Sequence, residues 1–223
     1  IDLAEFSSGP LSDAVPGLKV LNLPFLFTDS AHMFRHLDGK LGERFAANLK
    51  GAGFVVLGWY DGGARSFYCA GRSPSNLRDL AGASIRVQQS EIFVEMVKLL
   101  DAKPVPLPFK EVMAGFEKGA IDCAENNMRS YDATGHYKLA KSVYVTNHVV
   151  SPEALVVSAA LWGKLSEADR KVFQDAGGKS ALLMRELWNK RVAQAQETTA
   201  KQGAQFVRVK DVSPFVRRMS PLY

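Results

Sequence analysis

Between Ile85 and Glu125 short apolar runs alternate with amphipathic ones, and this alternation restricts the fold more than any other feature of the chain. Ile85-Arg86-Val87-Gln88 reads as a short strand. Ser90 then offers an N-cap to a helix with Ile92, Phe93, Met96, Val97 and Leu100 on its apolar face. Val105-Pro106-Leu107 reads as a second strand. Glu111 to Lys118 is a helix turning Val112, Met113 and Phe116 inward, and Ala120 to Glu125 is a third strand. A β-α-β-α-β order dictates a parallel sheet with right-handed crossovers.

The flanks extend this α/β reading. Ile1 to Phe6 has a strand pattern and runs into a turn at Ser7-Ser8-Gly9-Pro10. Helices are expected from Asp29 or Ser30 to His36 and from Leu41 to Ala52. Phe54 to Tyr60 and Ala64 to Cys69 read as two strands separated by Asp61-Gly62-Gly63. Val143 to Val150 and Ala154 to Ser158 read as two more, broken by Ser151-Pro152. Ser166-Glu167-Ala168-Asp169 is a capping box. It opens a helical stretch reaching nearly to Gln202, about 37 residues or roughly 55 Å. Gly177-Gly178 is expected to kink this stretch, and Leu183, Leu187, Trp188 and Val192 form its expected buried stripe. A strand at Phe206 to Val209 and a helix at Val212 to Met219 close the chain.

Composition narrows the function classes. With 47% hydrophobic and 23% charged residues the chain is an ordinary globular one. No apolar run approaches the roughly 18 residues of a membrane span. The net charge of +5 comes from basic residues interleaved with acids. No basic run or recognition motif marks a nucleic-acid partner, whereas the excess suits a small anion. Cys69 and Cys123 are too few for a disulfide scaffold or a cysteine zinc site, and free thiols are expected. A strand beginning at residue 1 without an initiator Met is expected to have lost what preceded it.

Most catalytic signatures are missing. There is no G-x-S-x-G motif and no phosphate loop. His32 and His36 stand four apart without a third ligand, so no metal and no cofactor is expected. What remains is a set of polar groups at the carboxyl ends of strands: Arg86, Asn126, Asn127 and Arg65. Open α/β sheets bind their ligands at such ends. An arginine fork holds a carboxylate with two parallel hydrogen bonds, and asparagine both donates and accepts. The plain alternative is a pair of surface arginines matched to acids. Apolar neighbours Ile85, Val87 and Phe67 favour burial instead.

Leu80–Ser90 (LAGASIRVQQS), Pro104–Val112 (PVPLPFKEV) and Gly119–Asn127 (GAIDCAENN) resemble the signature segments of a known family. It is that of the periplasmic solute-binding proteins of tripartite ATP-independent periplasmic (TRAP) transporters, the DctP-like family. The resemblance covers essentially the whole chain, including Leu23-Pro24-Phe25 and the long late helix. Tyr60–Tyr68 (YDGGARSFY), together with Arg86–Ser90 and Glu125–Asn127, is similar to the subgroup that binds hexuronates such as D-glucuronate and D-galacturonate.

The resemblance implies a two-lobed α/β binding protein with crossing hinge strands and a long bracing helix. Residues 1–62 and 151–190 would form the first lobe, and residues 63–150 and 191–223 the second. It implies that Arg86 pairs with the ligand carboxylate and that Asn126 contacts the same end. Arg65 matches a second arginine, and Phe109 an aromatic that packs on the ligand. Gln88, Gln89, Asn127 and Ser7 complete the expected hydroxyl-binding set. Relatives carry strand-helix-strand material before the position of Ile1, so the first lobe is expected to be incomplete. The implied protein is a periplasmic monomer and a binding module rather than an enzyme. Its partners are a hexuronate and the transporter's membrane subunits. Two rivals stay open: an extracytoplasmic sensor domain of the same fold, and an enzyme using Glu125 and Glu91 as an acid–base pair on an acidic sugar.

Overall fold

Two strands far longer than the usual five or six residues organise the molecule. The computed structural model describes residues 1–223. In chain order its elements are β1 (Leu3–Ser7), α1 (Ser8–Leu11), α2 (Ser30–Leu37), α3 (Lys40–Gly51), β2 (Phe54–Cys69), β3 (Ser84–Val87), α4 (Glu91–Lys98) and β4 (Lys103–Pro106). There follow α5 (Val112–Glu117), β5 (Cys123–Asn126), α6 (Met128–Ala133), β6 (Ser142–Ser158), α7 (Ala159–Lys164), α8 (Glu167–Lys201), β7 (Gln205–Arg208) and α9 (Ser213–Met219). One sheet has the order β1-β6-β2-β5-β3-β4, with β7 paired to β6. β3 pairs in parallel with both β4 and β5, as the β-α-β-α-β pattern requires. No helix is long and apolar enough to cross a membrane.

The two expected breaks are not chain breaks. Asp61-Gly62-Gly63 lies inside a continuous β2, and Ser151-Pro152 inside a continuous β6. The antiparallel register jumps from Asp61↔Pro152 to Ala64↔Val150, which is a bulge. Gly63 takes φ +72° there, and the Asp61 carboxylate accepts its N–H at 2.7 Å. Pro152, which has no N–H to donate, falls opposite the bulge where the ladder is already interrupted. The residue types that read as terminators therefore mark a crossing. On one side of it Trp59, Ala154 and Val156 join Leu18, Met33 and Leu49 in a core. On the other, Phe67 packs with Ile85, Phe93 and Phe215, while Tyr68 on the opposite face packs with Val112, Tyr131 and Val143. This is the two-lobed architecture with crossing strands.

The 35-residue α8 braces that crossing. Ser166 Oγ accepts the Asp169 N–H at 3.1 Å to start it. The expected buried stripe holds only in part: Trp188 is buried and Val192 packs against the core, but Leu183 and Leu187 are 56% and 41% exposed. With Trp188, the buried face comprises Gly177, Ala181, Ala195 and Thr199. Small residues win because the helix lies close against the sheet. A Cβ on Gly177 would sit 2.6 Å from Leu57 Cβ, so this glycine serves close approach, where a kink was expected. Arg185 donates to the Trp59 carbonyl at 2.7 and 3.1 Å and to the Asp38 carboxylate at 2.8 and 2.9 Å.

The cysteines also depart from expectation. Cys69 and Cys123 are directly opposed in the antiparallel β2/β5 pair and form a buried disulfide. The sequence separation of 54 conceals this. Only the strand register brings the two side chains face to face.

Candidate functional site

Arg86 is the polar group that defines the site. It lies on β3, is only 2% exposed, and points toward the segment after β4. Its Nε and Nη2 both donate to the Leu107 carbonyl, at 3.0 and 2.7 Å. Its Nη1 is buried and has no partner. Burial pushes its pKa down, and the negative charge of Glu125 only partly opposes this. The charge is felt next door: burial, and then the Arg86 guanidinium, push His136 down to about 4. His136 is therefore neutral at pH 7, sharing a 2.9 Å hydrogen bond with Tyr68.

Glu125 does not neutralise Arg86, because it belongs to Arg65. Arg65 Nε and Nη2 hold the Glu125 carboxylate at 2.5 and 2.8 Å, and Nη2 also reaches the Glu125 carbonyl at 2.9 Å. Burial alone would raise the Glu125 pKa, but the Arg65 guanidinium overrides it and holds the carboxyl below its ordinary value. His148 completes the group. Its Nε2 faces Glu125 Oε2 at 3.5 Å, and its Nδ1 meets Thr146 Oγ1 at 2.7 Å. Burial pushes its pKa down, which keeps the ring neutral. The local sum is thus one cancelled pair and one buried cation without a counter-ion. Such a charge is costly unless an anion completes it.

Arg65 does more than cancel Glu125. Its Nη1 donates to Asn126 Oδ1 at 2.9 Å, and the Asn127 N–H donates to the same oxygen at 2.8 Å. With its oxygen occupied, Asn126 can turn only its amide N–H groups toward a ligand. Ser7, Gln88, Gln89 and Phe109 join Arg65, Arg86 and Asn126 around one cavity of about 220 Å³. The Phe109 ring lies 5.9 Å from the Arg86 guanidinium and is 45% exposed at the mouth. This volume is below the roughly 300–1,000 Å³ of drug-sized sites and suits a ligand of monosaccharide size. A roomier groove of 430 Å³ beside Phe25, Phe27 and Val212 contains no unpartnered buried polar group.

Three expectations need correction. Asn127 does not line the cavity. Its Oδ1 caps α6 through the Ser130 N–H at 2.7 Å, and its Nδ2 donates to the Gly62 carbonyl at 2.8 Å. Ser90 occupies the N-cap position of α4 but makes no capping bond, and its hydroxyl is buried without a partner. The acid–base pair of Glu125 and Glu91 does not exist. Glu91 is on the surface in an ion pair with Lys19 at 2.5 Å, Glu125 is locked to Arg65, and neither lines the cavity. The cavity residues that were not anticipated include two acids, Glu5 on β1 and Glu153 on β6. The alternation that puts Glu5 and Ser7 on one face of β1 was visible, but the register bringing Glu153 opposite Ser7 was not. Of the histidines, His32 and His36 pack ring to ring at 5.2 Å, and no group of three metal-ligating side chains gathers anywhere.

With this geometry in hand, the similarity to known proteins has a physical counterpart. Residues 1–223 match the model of the bacterial extracellular solute-binding protein family 7, DctP. A solute-binding protein of Chromohalobacter salexigens is 36% identical over the whole chain, which spans 66% of that relative's length. A TRAP periplasmic solute-binding protein from Sulfitobacter sp. NAS-14.1, solved with bound β-D-galacturonate, superposes with a TM-score of 0.98 at 34% identity. One from C. salexigens with bound D-glucuronate gives 0.97 at 36%. Each superposition covers 100% of this chain and 74% of the solved one.

Proposed function

The chain belongs to the bacterial extracellular solute-binding protein family 7, and from that premise we propose that it is the hexuronate-binding subunit of a TRAP transporter. It captures D-galacturonate or D-glucuronate in the periplasm and hands it to the membrane subunits. The observation that carries this reading is the buried Nη1 of Arg86, which has no partner in the protein and borders a cavity of monosaccharide size. A ligand carboxylate would supply the missing counter-ion. The Asn126 amide would donate to the same carboxylate, and Gln88, Gln89 and Ser7 would meet the ring hydroxyls. Phe109 would cover an apolar sugar face, as exposed aromatics beside a cation do. The structures solved with bound uronates support the same ligand class.

We take residues 1–62 and 151–190 as the first lobe and residues 63–150 and 191–223 as the second, turning on the bulge that joins them. Closure would desolvate the Arg86–carboxylate pair, where charge-assisted bonds are strongest. A binding module of this kind needs no catalytic group. In isothermal titration calorimetry on the full-length protein, a hexuronate should bind and the matching neutral hexose should not. Arg86→Ala should weaken uronate binding at least about a hundredfold, as truncating one partner of a buried charge pair does, while the variant still folds by circular dichroism. Unchanged affinity in that folded variant would remove Arg86 from the site and the reading with it.

A further inference from the structure

We propose that Glu5 and Glu153 form an acidic wall of the cavity that accepts hydroxyl hydrogen bonds and excludes a second carboxylate, restricting the ligand to polyhydroxy monocarboxylates. This deepens the uronate reading and rests on it.

Glu5 and Ser7 lie two residues apart on β1 and so share a face, and Ser7 is paired in register with Glu153 on β6. Ser7 Oγ donates to Glu153 Oε1 at 2.7 Å. Both carboxyls line the same cavity as the unpartnered, 2%-exposed Arg86, and Glu153 lies near enough to Glu5 to act on its charge. Neither is in an ion pair. Arg129 acts on Glu5 only at longer range, with its guanidinium over the Trp188 ring at 5.6 Å, and Arg65, which feels Glu153, is committed to Glu125.

β3 and β6 are three neighbours apart in the sheet, about 14 Å at 4.7–4.9 Å per strand. The cation and the carboxyls therefore stand on strands separated by β2 and β5, around one small space. A ligand carboxylate held at Arg86 directs its far end toward the acids. Partial burial, and then the neighbouring Glu153, push Glu5 up to about 8, so Glu5 keeps its proton near neutral pH while the oxygens of both acids remain acceptors. A hydroxyl at the far end finds acceptors. A carboxylate there meets a like charge, while Arg65 is already engaged by Glu125 and Arg129 lies over the Trp188 ring, and this acts as a device for rejection.

The test compares D-galactonate with D-galactarate, open-chain acids that differ only in a terminal hydroxymethyl or carboxylate, alongside D-galacturonate, on the full-length protein. Galactarate should bind at least about a hundredfold more weakly than galactonate, the order expected when like charges are brought together. In the double variant Glu5→Gln, Glu153→Gln the ratio should fall below about tenfold. Equal binding of the two acids by the wild type would overturn the proposal while galacturonate binding left the uronate reading intact. A ratio unchanged by the double variant would assign the selectivity elsewhere and overturn it as well. Failure of all three acids to bind would overturn the uronate reading, and this proposal with it.

Discussion

An arginine with two of its three nitrogens on a backbone carbonyl is held in place without being neutralised. That distinction separates Arg86 from Arg65, which is equally buried but has its own carboxylate. Sequence marks both arginines alike, since both sit among apolar neighbours near strand ends. Which one is left with an unmet charge depends on Glu125, and that is a question of register. Asn127 misled for a related reason, because asparagine serves a helix N-cap as readily as a ligand. Glu5 and Glu153 went unread because an acid in an alternating strand looks solvent-facing until its cross-strand neighbour is known. Glu5 also carries a pH signature. Its folded-state pKa, raised to about 8, exceeds the ordinary 4.5 because of partial burial and Glu153, with Arg129 opposing. The folded state therefore binds more protons than the unfolded state between these values. The stabilisation from the retained proton is complete below about 4.5 and is lost as pH rises through about 8. Thermal melts across this range should show wild type losing melting temperature relative to Glu5→Gln as pH increases. Parallel curves would mean that Glu5 titrates normally.

Among the elements, the central ones and the long α8 were legible, and the two long strands were not. The strands and helices from β3 to β5 follow from local periodicity because each is short and bounded by turn residues. β2 and β6 read as four strands because Gly-Gly and Ser-Pro are terminators in a local reading, whereas a bulge between long partners absorbs both. The disulfide belongs to the same level. It ties β2 to β5 four residues beyond Arg65 and two residues before Glu125, so it fixes the register in which that ion pair forms. Replacing both cysteines with serine should cost about 2–4 kcal/mol in denaturant unfolding, the usual contribution of a disulfide closing a loop of this order. An unchanged unfolding midpoint would show that the core of β2, β3 and β5 sets the register unaided.

At the scale of the whole molecule, α8 is about 52 Å long and touches both sides of the crossing. It meets Leu57 through Gly177, Tyr60 through Ser180, Asp61 through Met184 and Gly63 through Trp188. Two adjacent glycines in this helix should then respond oppositely to alanine. Gly177→Ala would force a Cβ into Leu57 and should cost about 1–3 kcal/mol. Gly178→Ala meets nothing within 4 Å and should stabilise by up to about 1 kcal/mol. Urea melts of the two variants check this, and equal shifts would mean that the helix does not bear on the crossing. The unmatched charge at Arg86 reaches beyond the folded chain, into the solution around it. Chloride, acetate or sulfate in a buffer greatly outnumbers any sugar acid, and each is a candidate counter-ion. A titration therefore reports the exchange of one anion for another. The apparent affinity carries the composition of the buffer within it, and planar acetate, which mimics the natural carboxylate, depresses it more than chloride at equal concentration.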